Sequence, residues 1–247
     1  MKKAVILFVL LVMGFITPAL AAERTEPTFT LNSNMAEVAA ELLHDGDAYI
    51  NSCGSSLEDK RSAFQLTQSY IDSVTSTSQT PEVKCHIYSS GQANEYMKLE
   101  LFYAEADFTD EELADLSVKA GNTAQSINKF LTARLAYDYS NEPLTMASAP
   151  ATAKGALTTG KAICMGYANA FSVLAEQAGI KFVKVRGWVK GEYHVMNVVE
   201  GNLAVDVTWN DNSNNRLLLI PFENYCKAIG FVPEIDIQTA FDLKYGS

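Results

Sequence analysis

The stretch Gly160-Lys161-Ala162-Ile163-Cys164-Met165-Gly166-Tyr167-Ala168-Asn169-Ala170-Phe171 places a cysteine where a glycine-bearing loop gives way to an amphipathic helix. Backbone N–H groups in the first turn of a helix have no partners within it and carry the positive end of the macrodipole. A thiol there is expected to titrate below its free value of about 8.5. Downstream, His194 and Asp206 lie in two short segments that read as neighbouring strands. A helix-borne thiol, a base held on a rigid sheet and an acid behind it is the arrangement that thiol acyl transfer requires.

Working outward from the cysteine, the hydrophobic period becomes two from Lys181 onward. Residues 181–190, 193–199, 203–209 and 216–220 are predicted as four sequential antiparallel strands, and 221–229 as the final helix. The hairpin between His194 and Asp206 carries the test of the site. A three-residue loop Val199-Glu200-Gly201 with Gly201 left-handed would set Val198 against Asn202 and His194 directly against Asp206. A register shifted by one full pair keeps both side chains on one face, whereas an odd shift without a bulge separates them.

Upstream, residues 35–51 and 57–74 carry apolar residues at helical spacing, with Asn34 as N-cap of the first. Residues 83–88 and 95–104 read as a hairpin about a Ser89-Ser90-Gly91 turn. Thr109 stands three residues before Glu112, a capping-box signature that starts a helix. A further helix is predicted over 123–137, with Ile127, Phe130, Leu131 and Leu135 on its core stripe. The Ala-, Thr-, Ser- and Pro-rich residues 140–160 read as a linker in which 151–157 can form two helical turns. The fold class is therefore α+β. A small helix-and-hairpin unit over 22–118 precedes a domain over 119–247 whose cysteine-bearing helix packs on an antiparallel sheet.

Residues 1–21 have the form of a secretory leader: Lys2 and Lys3, an apolar run from Ala4, Pro18 and small residues at the end. The expected location is periplasmic or secreted, with no membrane insertion once the leader is cleaved. Cleavage removes two lysines and no acid, taking the formal charge from −10 to −12. So acidic a chain opposes nucleic acid and anionic lipid as partners. Four cysteines in an exported chain suggest disulfides. With Cys164 reserved as a nucleophile, the expected bridge joins Cys53 to Cys85 and leaves Cys226 buried and free; pairing of all four is the competing arrangement. His44 and His86 have no partnered cysteine spacing, so no metal or other cofactor is assigned.

The motifs resemble, in order, those of the bacterial transglutaminase-like superfamily. They are Gly160-Lys161-Ala162-Ile163-Cys164-Met165-Gly166-Tyr167-Ala168, Ala178-Gly179-Ile180, His194-Val195-Met196-Asn197 and Asp206-Val207-Thr208-Trp209-Asn210-Asp211. Tyr137-Asp138-Tyr139 resembles the family's end of the preceding helix and residues 148–157 its approach to the cysteine, so the likeness spans about 121–222. It implies a papain-like fold with Cys164 as nucleophile, His194 as general base and acid, and Asp206 as orienting carboxylate. Two positions depart from the pattern: Met196 stands where a Trp is usual, and Ala162 where a Gly is usual.

Tyr167, Met196 and Trp209 are the candidate substrate-binding side chains. Met196 would reshape the acyl-acceptor side, Tyr167 either borders the site or packs beneath it, and Trp209, like Trp188, either lines the cleft or joins the core. The implied function is an exported cysteine peptidase, amidase or transglutaminase-type enzyme. It would act on peptide or protein substrates, cell-wall peptides among them, through a thioester. The alternative is a peptide- or cell-wall-binding module that keeps the fold without turnover. Calcium dependence is not carried over from the animal enzymes.

Overall fold

Two residues of extended chain, β1 (Phe29–Thr30), open the part of the protein that the computed structural model describes: residues 29–75, 81–89, 95–103, 108–140, 148–213 and 216–246. The leader-like residues 1–21 and the Ser90-Gly91 turn lie outside it. Helix α1 (Met35–Asp45) starts where Asn34 accepts the Ala36 N–H at 3.0 Å. It ends sooner than its apolar spacing predicts, because Gly46 turns left-handed (φ 84°) and closes the last turn onto the Leu42 carbonyl. Residues 47–51 therefore leave the helix and form β2 (Asp47–Asn51). After α2 (Leu57–Val74), β3 (Pro81–Ser89) and β4 (Glu95–Tyr103) pair antiparallel as predicted, in a sheet ordered β1-β2-β4-β3.

That sheet corrects the expected disulfide. Cys53 and Cys85 are not joined to each other. In the sheet Cys85 stands opposite Leu99 and Leu99 opposite Ala48, so β4 separates β3 from β2, and Cys53 lies beyond the end of β2. Two strand spacings alone amount to about 9–10 Å, already past the roughly 7 Å Cα separation that a disulfide can span.

The remaining elements build a second unit. α3 (Asp110–Ala120) begins at the expected capping box: Thr109 Oγ1 accepts the Glu112 N–H, and Glu112 Oε2 accepts the Thr109 N–H at 2.9 Å. Phe108, Leu113 and Ala120 are buried in the same core as the cysteine helix, so this unit takes in α3 and begins well before residue 119. α4 (Ala124–Arg134) is shorter than predicted. Its chain straightens into β5 (Ala136–Tyr137), where the Ala136 N–H donates to the Gly160 carbonyl and the Asp138 N–H to the Ala162 carbonyl, each at 2.9 Å. Those bonds outcompete another helical turn and clip the chain beside the approach to Cys164. The supposed linker holds a 3₁₀ turn (Ala149–Ala151), α5 (Ala153–Thr159) and β6 (Lys161–Ala162), which is β5's partner.

α6 (Cys164–Gln177) is the centre of the unit: every residue from Met165 to Ala175 is buried. Against it stand β7 (Phe182–Val189), β8 (Glu192–Val199) and β9 (Leu203–Val205). Alternation sends Val195 and Asn197 of β8 toward α6, where Val195 packs with Met165 and Ala168 and Asn197 Nδ2 donates to Ser172 Oγ at 2.8 Å.

The predicted strand over 203–209 is cut at Val205. Asp206 Oδ1 accepts the Trp209 N–H at 3.2 Å and its carbonyl accepts the Asn210 N–H, so the chain turns into α7 (Val207–Ser213). Likewise, of residues 216–220 only Ile220 is extended, in β10 (Ile220–Pro221). α8 (Phe222–Ile229) is as expected but is not the last helix. It is followed by β11 (Phe231–Pro233), which completes the sheet order β10-β9-β8-β7-β11, and by α9 (Ile237–Tyr245), capped by Asp236. No helix among the described residues is long and apolar enough to cross a membrane.

Candidate active site

The β8–β9 hairpin decides whether His194 and Asp206 meet. Its register pairs Asn197 with Val205 and Val199 with Leu203 around left-handed Gly201 and Asn202. This is one full pair away from the register that sets His194 directly against Asp206. Parity survives the shift, so the side chains meet on the diagonal: His194 Nε2 lies 2.6 Å from Asp206 Oδ2. Both are buried, the histidine 7% and the aspartate 1% exposed, so water does not dilute the interaction. The Cys164 side chain lies near enough to the imidazole to raise its proton affinity. With Nε2–H donated to the carboxylate, Nδ1 is the ring nitrogen left for sulfur.

Cys164 is the first residue of α6, and no side chain caps that helix. Helices α1, α3, α4, α5 and α9 each receive a side-chain cap, from Asn34, Thr109, Thr123, Thr152 and Asp236. The Ile163 position supplies none, which leaves first-turn donors of the cysteine helix for another oxygen. The start of the helix is seated from behind. The Ile163 N–H donates to the Pro150 carbonyl at 2.9 Å, and Asn169 Nδ2 to the Ala151 carbonyl at 2.9 Å. Lys184 Nζ on β7 in turn donates to Asn169 Oδ1 at 2.8 Å; burial pulls this ammonium down to about 8.

Burial by itself would lower the pKa of His194. The Asp206 charge and hydrogen bond, joined by a smaller contribution from the nearby Cys164 side chain, outweigh it and push the imidazole up to about 10. The folded protein thus binds a proton at His194 that the unfolded chain releases near 6.5. Its contribution to stability is full below about 6.5 and is lost as pH rises toward 10. An NMR titration of the three histidines should find His194 still protonated at pH 8. An imidazole that deprotonates near 6.5 would remove the charged dyad.

The remaining candidates divide. Tyr167 is 1% exposed within the core and its hydroxyl donates to Asp211 Oδ2 at 3.0 Å. Met196 is 1% exposed, so both pack beneath the site and neither offers a surface to substrate. Trp209 is 40% exposed, its backbone N–H on Asp206, and remains a cleft candidate.

Sequence reasoning missed Tyr225. It is fully buried on α8 and its hydroxyl donates to Asp206 Oδ2, yet a tyrosine on an amphipathic helix reads as core. Tyr137 and Tyr193 were missed as well. Burial first, and then the Cys164 side chain among others, raises the Tyr137 phenol to about 12; burial above all raises that of Tyr193, with Glu234, Asp72 and Cys164 adding to it against Arg186. Beside them stand exposed Tyr139, its ring 4.8 Å from that of Tyr137, and exposed Trp188, its ring 5.5 Å from that of Tyr193.

Residues 107–213 match the model of the transglutaminase-like superfamily, and the match contains Cys164, His194 and Asp206 but stops short of Tyr225. This chain carries a transglutaminase-like domain. That superfamily is typically enzymatic. Among solved structures, the chain is similar to one from Cytophaga hutchinsonii assigned provisionally as a cysteine protease. The identity there is 12%, covering 65% of this chain and 72% of that one, with a TM-score of 0.33. It is similar also to a structure named as a TGase, at 11% identity over 66% of this chain and 51% of that one, with a TM-score of 0.30. Likenesses this loose do not bear on the chemistry of the transglutaminase-like domain. No curated protein matches the chain.

Proposed function

We propose that the protein is an acyl-transfer enzyme that opens peptide-like amides through a thioester on Cys164, as a peptidase, amidase or amine transferase. The observation that carries this reading is the His194 imidazole held between the Cys164 thiol and the Asp206 carboxylate. The Cys164 sulfur attacks the amide carbon and forms the C–S bond, and the carbonyl electrons move to oxygen. The open N–H groups at the start of α6 receive that oxyanion. Collapse breaks the C–N bond, and the His194 imidazolium gives its proton to the departing amine. Water or a second amine then approaches the thioester, His194 takes its proton, and the thiolate leaves. Asp206 keeps the ring in the orientation that serves both halves.

The exposed rings of Tyr139, Trp188 and Trp209 suit an extended peptide better than a small anion. The leader-like residues 1–21 favour work in the periplasm or the medium, where cell-wall peptides offer such amides. A peptidyl chloromethyl ketone, with peptide mapping of the product, tests the reading. The label is expected on Cys164, fast near pH 6 and much slower in His194→Ala. Equal, slow labelling of the two folded proteins would leave a binding module in place of an enzyme.

A further inference from the structure

We propose that Tyr225 is a positioning residue of the His194–Asp206 dyad, fixing the carboxylate through its hydroxyl; this rests on the catalytic reading above. Asp206 is 1% exposed, so its oxygens depend on the protein for hydrogen bonds. Three donors serve them. Trp209 N–H takes Oδ1, while His194 Nε2–H and Tyr225 O–H converge on Oδ2. The two donors on one oxygen leave a single direction for the ring nitrogen, and the Trp209 bond at the other oxygen fixes the carboxylate plane.

The hydroxyl is itself held in place. The Tyr225 ring stacks on Phe222, with centroids 6.3 Å apart and planes at 13°. It also meets Phe231 at 5.9 Å and 66°, and Phe231 stands edge-on to His194 at 6.1 Å. Room for Phe231 comes from Gly187, the residue paired with His194 across β7 and β8. A Cβ there would lie 2.6 Å from the Phe231 ring and 2.4 Å from the Val232 carbonyl. Tyr225 and Phe231, on successive elements, thus each hold one member of the dyad.

The titratable groups that face this cluster are His194 on β8, Cys164 on α6 and Cys226 beside Tyr225. Donation from a neutral hydroxyl favours the ionised carboxylate. Without it, the carboxylate has the imidazole as its one remaining donor at Oδ2. A bare carboxylate left behind by a neutral imidazole then becomes more costly, so His194 should hold its proton to higher pH.

Tyr225→Phe keeps the ring and removes the donor. The expected result is a fall of about tenfold in kcat with little change in KM, and a shift of the alkaline limb of the pH–rate profile upward by about one unit. NMR titration of His194 in the same variant should move in the same direction whether or not turnover is seen. Tyr245→Phe, which removes a hydroxyl bonded to the Phe182 backbone, should leave both profiles in place. A Tyr225→Phe protein with a lower Tm but unmoved pH profile and His194 titration would overturn the proposal, reducing Tyr225 to core packing. A wild type inert to the acyl probe would count against the catalytic reading instead, while the His194 titration would still decide the role of Tyr225.

Discussion

Asp206→Asn is expected to lower turnover about 10⁴-fold while the fold stays intact. The amide has the volume of the carboxylate, but its single oxygen can accept at only one of the two places, from the Trp209 N–H or from Tyr225. It lacks the charge that now outweighs burial and keeps the imidazole protonated. It can also present its NH₂ to Nε2, which then must accept, reversing the tautomer that serves the thiol. Steady-state kinetics beside a thermal melt separate the two contributions. A loss below tenfold with an unchanged melt would remove Asp206 from the catalytic dyad.

Gly166→Ala is expected to reduce turnover on the order of 10²-fold, the scale of an ångström-sized misplacement of a reacting group, and to destabilise by roughly 1–3 kcal/mol as overpacking does. A Cβ at residue 166 would lie 2.1 Å from the Pro150 carbonyl oxygen and 3.2 Å from the Ala162 Cβ. Both belong to backbone segments already hydrogen-bonded, so neither is a flexible side chain that can swing away. The same Pro150 carbonyl seats the Ile163 N–H just ahead of the nucleophile, so displacing it moves Cys164. The kcat of the variant, compared at a temperature where it is fully folded, measures the effect. Wild-type turnover would show that the seat is not needed.

The cysteine helix and the β7–β8 hairpin were legible because each carries its own period and its own punctuation: Gly160 before the helix, and Gly191 and Gly201 at the turns. The meeting of His194 and Asp206 was legible as parity but not as register, since nothing in the loop residues says which of Gly201 and Asn202 closes the turn; both are left-handed. The strand expected over 203–209 failed for a chemical reason. Asp206 spends one oxygen on the Trp209 N–H, and a short run such as Val207-Thr208-Trp209 has no period that distinguishes strand from helix. Tyr225 and Phe231 were not legible at all. Their importance comes from what they touch, residues 19 or more positions away in the chain, and an aromatic in an amphipathic helix or a short strand reads as core.

The turn between His194 and Asp206 constrains what inheritance can do to this protein. Side chains alternate along a strand, so inserting or deleting one unbulged residue in the paired part of β8 after His194, or of β9 before Asp206, would send them to opposite faces. Length changes of two residues, or changes confined to a bulge, keep the dyad together. Across descendants of this sequence, the paired strands between the dyad can change in length only by even steps, unless a bulge absorbs the change.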